Sequence, residues 1–370
     1  MKSRTQFLVI GAILVAAITI PAWAAGIDHL DLASAISAPL PSGATVELPA
    51  GSVDGLAAAL AQAGNGGTVI VKSGLHLESG TVLVTERVSI IGEPGAVIES
   101  ALLPSGPANV VEALLHVRDT ARVTIRGLEM RPGDDSDGNT AVLVEDSDRV
   151  WVIGNTITGS DVGSTTGLPR GFQWGVLVQN GDHVSIENND IRVTGSWLAG
   201  EVPRSDGVIV INGSFARIVG NTLSYGVFGA FASDEKGQMR ANTLTNNLYG
   251  VIVCNVPAVF VISGQTVGSE VPATQWQVHD NLASDNFHTG YLVIDGANRN
   301  HMSNNAASGN AVYDIELAGD TNRFGFPAPT SRDNQVAAGS HHGLVIKDCG
   351  QNNRLTGFDA VVDITTDPCF

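Results

Sequence analysis

The chain has 370 residues, 43% hydrophobic and 15% charged, with 37 Asp and Glu against 20 Lys and Arg and a formal net charge of −17. That charge repels nucleic acid and anionic membrane surfaces at long range, so neither is expected as a partner. Three Cys, four Met and nine His without His-x-x-His or His-Glu-x-x-His spacing give no support to a transition-metal site.

In chain order, the first element is an export signal. Lys2 and Arg4 precede an apolar run over residues 7–20, Pro21 breaks it, and Ala22-Trp23-Ala24 has the small-x-small form of a cleavage site. An apolar run of about 14 residues falls short of the roughly 20 that span a bilayer. Residues 1–24 are therefore expected to be removed, leaving a secreted or periplasmic chain with no membrane insertion. Residues 25–52 form a lead-in, and residues 53–370 a single domain. Residues 54–63 predict a short helix, with Asp54 as N-cap, Leu56, Ala59, Leu60 and Ala63 on one stripe, and Gly64 as the stop. Gly67-Thr-Val-Ile-Val71 is the first predicted strand, followed by residues 88–91 and 123–125.

From here the chain repeats itself. A small residue followed by alternating aliphatics recurs as Ala141-Val-Leu-Val144, Gly175-Val-Leu-Val178, Gly207-Val-Ile-Val210, Gly250-Val-Ile-Val253, Gly290-Tyr-Leu-Val293 and Gly343-Leu-Val-Ile346. Period-two alternation in blocks this short makes strands. Between the blocks, short apolar runs are interrupted by Asn155, Asn189, Asn221, Asn242, Asn281, Asn305 and Asn334, with Gly127 standing in before them. Each coil divides into three strands: the small-aliphatic block, a second strand such as residues 217–219, and, after the Asn turn, a short third strand such as residues 156–158. Asn tolerates a left-handed backbone, and stacked Asn amides can bond to each other at the roughly 4.8 Å strand spacing. Strands recurring at one coil's length make a solenoid, here of about ten coils and roughly 48 Å, with the helix as its N-terminal cap.

The cap helix, the Gly-Gly-Thr-Val-Ile-Val strand ending at Val71, the Gly-Val-x-Val blocks and the Gly-Asn-Thr-Ile and Gly-Asn-Thr-Leu turns resemble the right-handed parallel β-helix of the pectate-lyase-like superfamily. The resemblance implies an all-β, right-handed parallel β-helix. It also implies loops that wall a groove over the first strand, where an extended polysaccharide lies. Lyases, hydrolases and epimerases share this fold, as do proteins without chemistry. The expectation is an exported protein that binds an extracellular or envelope polysaccharide, with lyase, hydrolase or epimerase chemistry open to it. A non-catalytic envelope or adhesion scaffold and a periplasmic accessory protein are the alternatives.

Loop excess at residues 130–140, 159–174, 193–206, 263–276 and 318–333 is expected along one corner, after the third strand. If Val176, Val178, Val208, Val210, Tyr291 and Ile315 point inward, then Leu143, Leu177, Ile209, Ile252, Leu292 and Val345 face the groove. That row is apolar. A pectate-lyase-like site would carry Asp carboxylates for calcium and an Arg or Lys base there, so either loops folding over the row or a protein partner on it is expected instead.

Before each Gly stands a column of Trp174, Asp206, Tyr225, Tyr249, Thr289, Tyr313 and His342, either a platform for sugar rings or a spine of rings stacked on one another. Asp314 and Glu316 flank an inward Ile315 and would emerge on one face about 6.7 Å apart, a separation that suits two carboxylates flanking a water in inverting glycoside hydrolysis. In that reading they are the general acid and base. His288 assists, with His341 or His342 also nearby, and Arg170 and Arg204 hold carboxylate or sulfate groups of the substrate. No cofactor is expected. The acidic turn with Asp134, Asp135, Asp137 and Asn139 offers oxygens at calcium-loop spacing but lacks the terminal Glu and the sixth-position Gly. Cys349 and Cys369 lie close to one coil apart and are expected to form a disulfide, which leaves Cys254 unpaired.

Overall fold

Aliphatic side chains at every second position bury one side of each short strand, and parallel stacking satisfies the backbone groups between coils. The structure, a computed structural model, describes residues 43–102, 111–133, 137–159, 171–193, 206–255, 260–268, 273–319, 330–338, 345–358 and 363–364. The predicted signal, residues 1–24, lies outside them.

The strands stack into three parallel faces. The first face is an 11-stranded sheet running from Val82–Val84 to Asp363–Ile364. The second starts at Thr45–Leu48 and Gly67–Val71 and continues to Arg354–Thr356, while the third runs from Gly74–Glu78 to the end of His301–Ser308. His301–Ser308 turns the corner between them, pairing with Gln277–His279 and then with Leu282–Ser284. Register is kept from coil to coil: Val176, Val208, Ala230, Val251, Tyr291 and Ile315 stand over one another. All six lie in the main core, as do Val178 and Val210. This is a parallel β-helix.

The helix forms over Leu56–Ala63, with Leu56, Ala59 and Ala63 buried in the core against the first strands. Asp54 is not its N-cap. It lies at φ 50 and accepts hydrogen bonds from Ser79 N–H and Oγ at 2.6 and 2.8 Å. Glu78 Oε1, from the neighbouring coil, accepts the Leu56 N–H instead at 2.9 Å. Gly64 ends the helix at φ 64. Nor is Gly67–Val71 the first strand: Thr45–Leu48, inside the predicted lead-in, already pairs with it in parallel.

Six of the predicted Asn form one continuous ladder. From Asn155 through Asn189, Asn221, Asn242 and Asn281 to Asn305, each Nδ2 donates to the next Oδ1 at 2.9–3.1 Å. Asn334 belongs elsewhere, to a second ladder with Asn300 and Asn353 at the first–second corner. A third, of Asn247, Asn286 and Asn310, lines the third–first corner. Gly127 is not the forerunner of Asn155; that position is held by Leu128, whose N–H donates to Asn155 Oδ1.

The glycine that opens each first-face strand is dictated by contact with the next coil. A Cβ on Gly175, Gly207, Gly229, Gly250 or Gly290 would lie 2.5–2.8 Å from the next coil's carbonyl oxygen. Predicted loops at residues 130–140, 159–174 and 193–206 follow third-face strands. Residues 263–276 and 318–333 instead leave first-face strands Tyr249–Val253 and Tyr313–Leu317 and return into the second face, so they rise at the opposite edge. The sequence misleads here because Phe260–Ile262 imitates a coil strand but pairs antiparallel with Gln265–Val267 as a hairpin. Among the described residues, no helix is long and apolar enough to cross a membrane.

Candidate functional site

The outer side of the first face is where the predicted groove should lie. Its apolar row is not open. Leu143, Leu177, Ile209, Ile252 and Leu292 are at most 1% exposed and form a second apolar cluster with Trp174, Phe231, Tyr249 and Ile294. The hairpin of Phe260–Ile262 and Gln265–Val267 lies over this cluster, with Ile262 buried in it and Val267 packed against it. Two side-chain bonds hold the hairpin down: Ser263 Oγ donates to Glu145 Oε2 and Asn212 Nδ2 to the Gly268 carbonyl, both at 2.6 Å. Glu145 also meets His116 Nε2 at 2.9 Å. Burial pushes the His116 imidazole down, against the raising effect of Glu145. Of the two coverings expected for this row, loops of the chain or a protein partner, the chain itself supplies the first.

The column before the glycines exists, with one change. Trp174 stands in register with Asp206, and Phe228, Tyr249, Thr289 and Tyr313 follow in register coil by coil. Tyr225 is not in it. It sits at φ 62 in the corner, 4.8 Å below the Arg192 guanidinium, because the strand opens at Phe228-Gly229 and not at Tyr225-Gly226. Gly226 is a ladder position whose N–H donates to Asn247 Oδ1 at 3.0 Å.

Asp206 is the chemically distinctive member. Trp174 Nε1–H donates to its Oδ2 at 3.0 Å and Phe228 N–H to its Oδ1 at 3.1 Å. Burial nevertheless pushes its carboxyl up to about 7, against the lowering effect of both bonds. Rings continue from it: Phe228 lies 5.2 Å from Phe231 and 5.9 Å from Tyr249, and Tyr249 lies 4.9 Å from His288. His288 Nδ1 is hydrogen-bonded with Thr289 Oγ1 at 2.8 Å, and that hydroxyl donates on to Glu316 Oε2 at 3.5 Å. Lys347 Nζ lies 5.2 Å over the Tyr313 ring.

Asp314 and Glu316 are both buried, 7% and 1% exposed, and do not emerge together on one open face. Ile315 points into the core as expected, but Asp314 is in register with Gly290, at the corner. There Asp314 Oδ1 accepts Asn310 Nδ2–H at 2.8 Å, ending the third Asn ladder, and its Oδ2 accepts Val345 N–H at 3.0 Å. Glu316 stands in the outer row with Leu292 and Lys347, 1% exposed. The i, i+2 rule fails because the corner turns Asp314 toward the ladder. His288 joins Glu316 and Tyr249, not Asp314.

Arg170, Arg204, Asp134, Asp135, His341, His342 and Cys369 lie outside the described residues. Cys349 is disulfide-bonded. Cys254 is buried and free, and burial pushes its thiol well up. Among the described residues, no group of three or more His, Cys, Asp or Glu is arranged to hold a metal.

A family model described as a right handed beta helix region matches residues 108–265. Solved structures share the fold. A polygalacturonase from Erwinia carotovora ssp. carotovora is similar at 12% identity, over 88% of this chain and 97% of its own, with a TM-score of 0.56. A DFA-IIIase from Arthrobacter chlorophenolicus A6 in complex with DFA-III aligns at 12% identity over 84% and 78%, with a TM-score of 0.51. The A-module of the Azotobacter vinelandii mannuronan C-5 epimerase AlgE4 aligns at 12% identity over 79% and 87%, with a TM-score of 0.50. No curated protein matches the chain by sequence. The fold is a right-handed parallel β-helix.

Proposed function

We propose that this is an exported β-helix protein that binds an extracellular or envelope polysaccharide along the outer side of its first face and processes it there, with Asp206 as proton donor. The observation that carries the reading is Asp206 itself: a carboxyl 8% exposed, between Trp174 and Phe228, whose affinity for its proton is raised to about 7. A carboxyl still protonated near neutral pH is what a general acid needs. Beside it the half-buried Phe228 ring offers a face on which a sugar can stack, with Trp174 and Tyr249, 2% and 6% exposed, packed in the cluster behind it. Glu316, reached through Thr289 and His288, is a second polar group farther along the same face. Polygalacturonase and mannuronan C-5 epimerase on the same fold make a polysaccharide the substrate to try first. A glycan-array screen followed by product analysis tests the reading. Asp206→Asn should abolish turnover and keep binding, while Phe228→Ala should weaken binding; full turnover by Asp206→Asn would overturn the acid assignment.

A non-catalytic scaffold is the second reading. It is favoured by the burial of Leu177 and Ile209 under the hairpin side of the face, at 0% and 1% exposure. It expects no product from any glycan and no effect of Asp206→Asn beyond stability.

A further inference from the structure

The second face gathers cationic side chains on a chain that is acidic overall. Its strands present three outward rows, read across coils. The row at the first–second corner includes Arg122, Arg149, His183, Phe215, Lys236 and Arg299, all exposed. The middle row, in strict register, ends in Arg217, Gln238, Gln277, His301, Gln335 and Arg354. The third row adds Arg126, Arg240 and His279. These rows hold eight of the chain's 20 Lys and Arg and, among the described residues, the carboxylates Glu47, Glu187 and Asp333, in a chain of net charge −17. Asp148, Asp182 and Glu235 line one margin and Asp280 the other; Arg149, Lys236, Arg240 and Arg217 are paired with Asp148, Glu235, Asp280 and Glu187 at 3.2–3.6 Å. Arg122, Arg126, Arg299 and Arg354 make no ion pair among the described residues.

The corner row is held in a conformation its side chains resist. Arg122, Arg149, His183, Phe215, Lys236, Gln275 and Arg299 all have φ between 53 and 61°, while Asp333 and Asn352, which tolerate it, take the row's last two described positions at φ 55. At the corresponding left-handed positions of the second–third corner stand Gly127, Gly154, Asn188, Gly220, Asp280 and Asn304, the residue types that tolerate it, with Ala241 as the exception. Long cationic and aromatic side chains are thus placed where the backbone favours Gly or Asn. They also form a continuous surface: the His183 and Phe215 rings stack at 5.0 Å and 14°, and Lys236 Nζ lies 5.7 Å over Phe215.

We propose that the second face is a binding surface for an acidic polysaccharide, separate from the first-face site and not dependent on Asp206. Arg guanidinium groups take carboxylates bidentately. The amides of Gln238, Gln277 and Gln335 suit sugar hydroxyls, and the stacked rings suit sugar faces. Within each row the recognition groups of successive coils recur at the strand spacing of about 4.8 Å, so an extended polymer can meet them repeatedly. The marginal carboxylates disfavour a polyanion as dense as nucleic acid, with its charge every ~1.7 Å, and leave room for one with a single carboxylate per sugar.

The test is affinity electrophoresis of the full chain in gels containing polygalacturonate, dextran or single-stranded DNA, with cosedimentation on anionic lipid vesicles. Polygalacturonate should retard the protein, dextran should not, and the retardation should weaken between about 50 and about 200 mM salt. The charge-reversed Arg122→Glu/Arg299→Glu/Arg354→Glu should lose at least about tenfold in affinity, and the neutral Arg299→Gln/Arg354→Gln, which keeps folding out of question, should fall between the two. Asp206→Asn should bind like wild type. Equal retardation by dextran, or unchanged affinity in both Arg variants, would overturn the proposal. Equal or tighter binding to DNA or to vesicles would replace the acidic polysaccharide with another polyanion.

Discussion

Asp206 shows how one buried carboxyl couples stability to pH. Its ordinary value is 3.8 and its folded value about 7, so the folded state holds the proton more tightly than the unfolded chain. The stability it contributes is complete below about 3.8 and lost as pH rises through about 7, amounting to roughly 4 kcal/mol by the usual conversion. Asp234 acts in the same direction: it is fully buried, and burial pushes its carboxyl well up against a lowering contact with Trp276. Asp206→Asn is therefore expected to flatten the dependence of Tm on pH, matching wild type near pH 4 and exceeding it near pH 8. A variant whose Tm falls with pH as steeply as wild type would show that another group controls the slope. At this scale the sequence was partly legible. Trp174, Asp206, Tyr249, Thr289 and Tyr313 were found from the small residue that follows most of them, but Tyr225 was not separable from Phe228, since each precedes a Gly. Asp314 was misread because period-two alternation holds within a strand and fails at its corner.

Among elements, the Asn ladder and the hairpin bear different kinds of load. Asn242 sits mid-ladder, accepting from Asn221 N–H and Nδ2 at 2.9 and 3.0 Å and donating to the Ile218 carbonyl and Asn281 Oδ1 at 2.7 and 2.9 Å. Asn242→Ala strands buried partners on both sides, and a loss of about 2–4 kcal/mol in chemical denaturation is expected. A loss below about 0.5 kcal/mol would mean that water replaces the amide. The hairpin is held by fewer bonds. Ser263→Ala removes the donor to the buried Glu145, so a loss of about 1–2 kcal/mol and faster proteolysis within residues 260–268 are expected. Ladder positions could be read from sequence because Asn recurs beside apolar runs. The hairpin could not, since nothing local distinguishes its antiparallel pairing from one more parallel coil. The helix was legible in its stripe and stop but not in its cap, because Glu78 reaches it from another coil.

For the whole molecule, stacking turns sequence periodicity into surfaces. One face is sealed by the chain's own hairpin and carries Asp206 among aromatic rings; another presents Arg, Gln and His outward on a chain that is acidic overall. The fold was legible because each coil repeats the same small-residue, aliphatic and Asn signals. The site was less so, because the hairpin over the first face helps bury residues that strand alternation alone assigns to solvent. Charge reversal on the second face and removal of the Asp206 carboxyl should therefore be independent, and a double variant should show additive effects on glycan retention and on turnover.

The most direct measurement is a ¹³C NMR titration of the Asp206 carboxyl, with and without a polysaccharide that the protein retains. Asp206 should titrate with a midpoint near 7, and bound glycan should move that midpoint. A midpoint at the ordinary 3.8, unmoved by glycan, would contradict both the buried acid and its place in a sugar site.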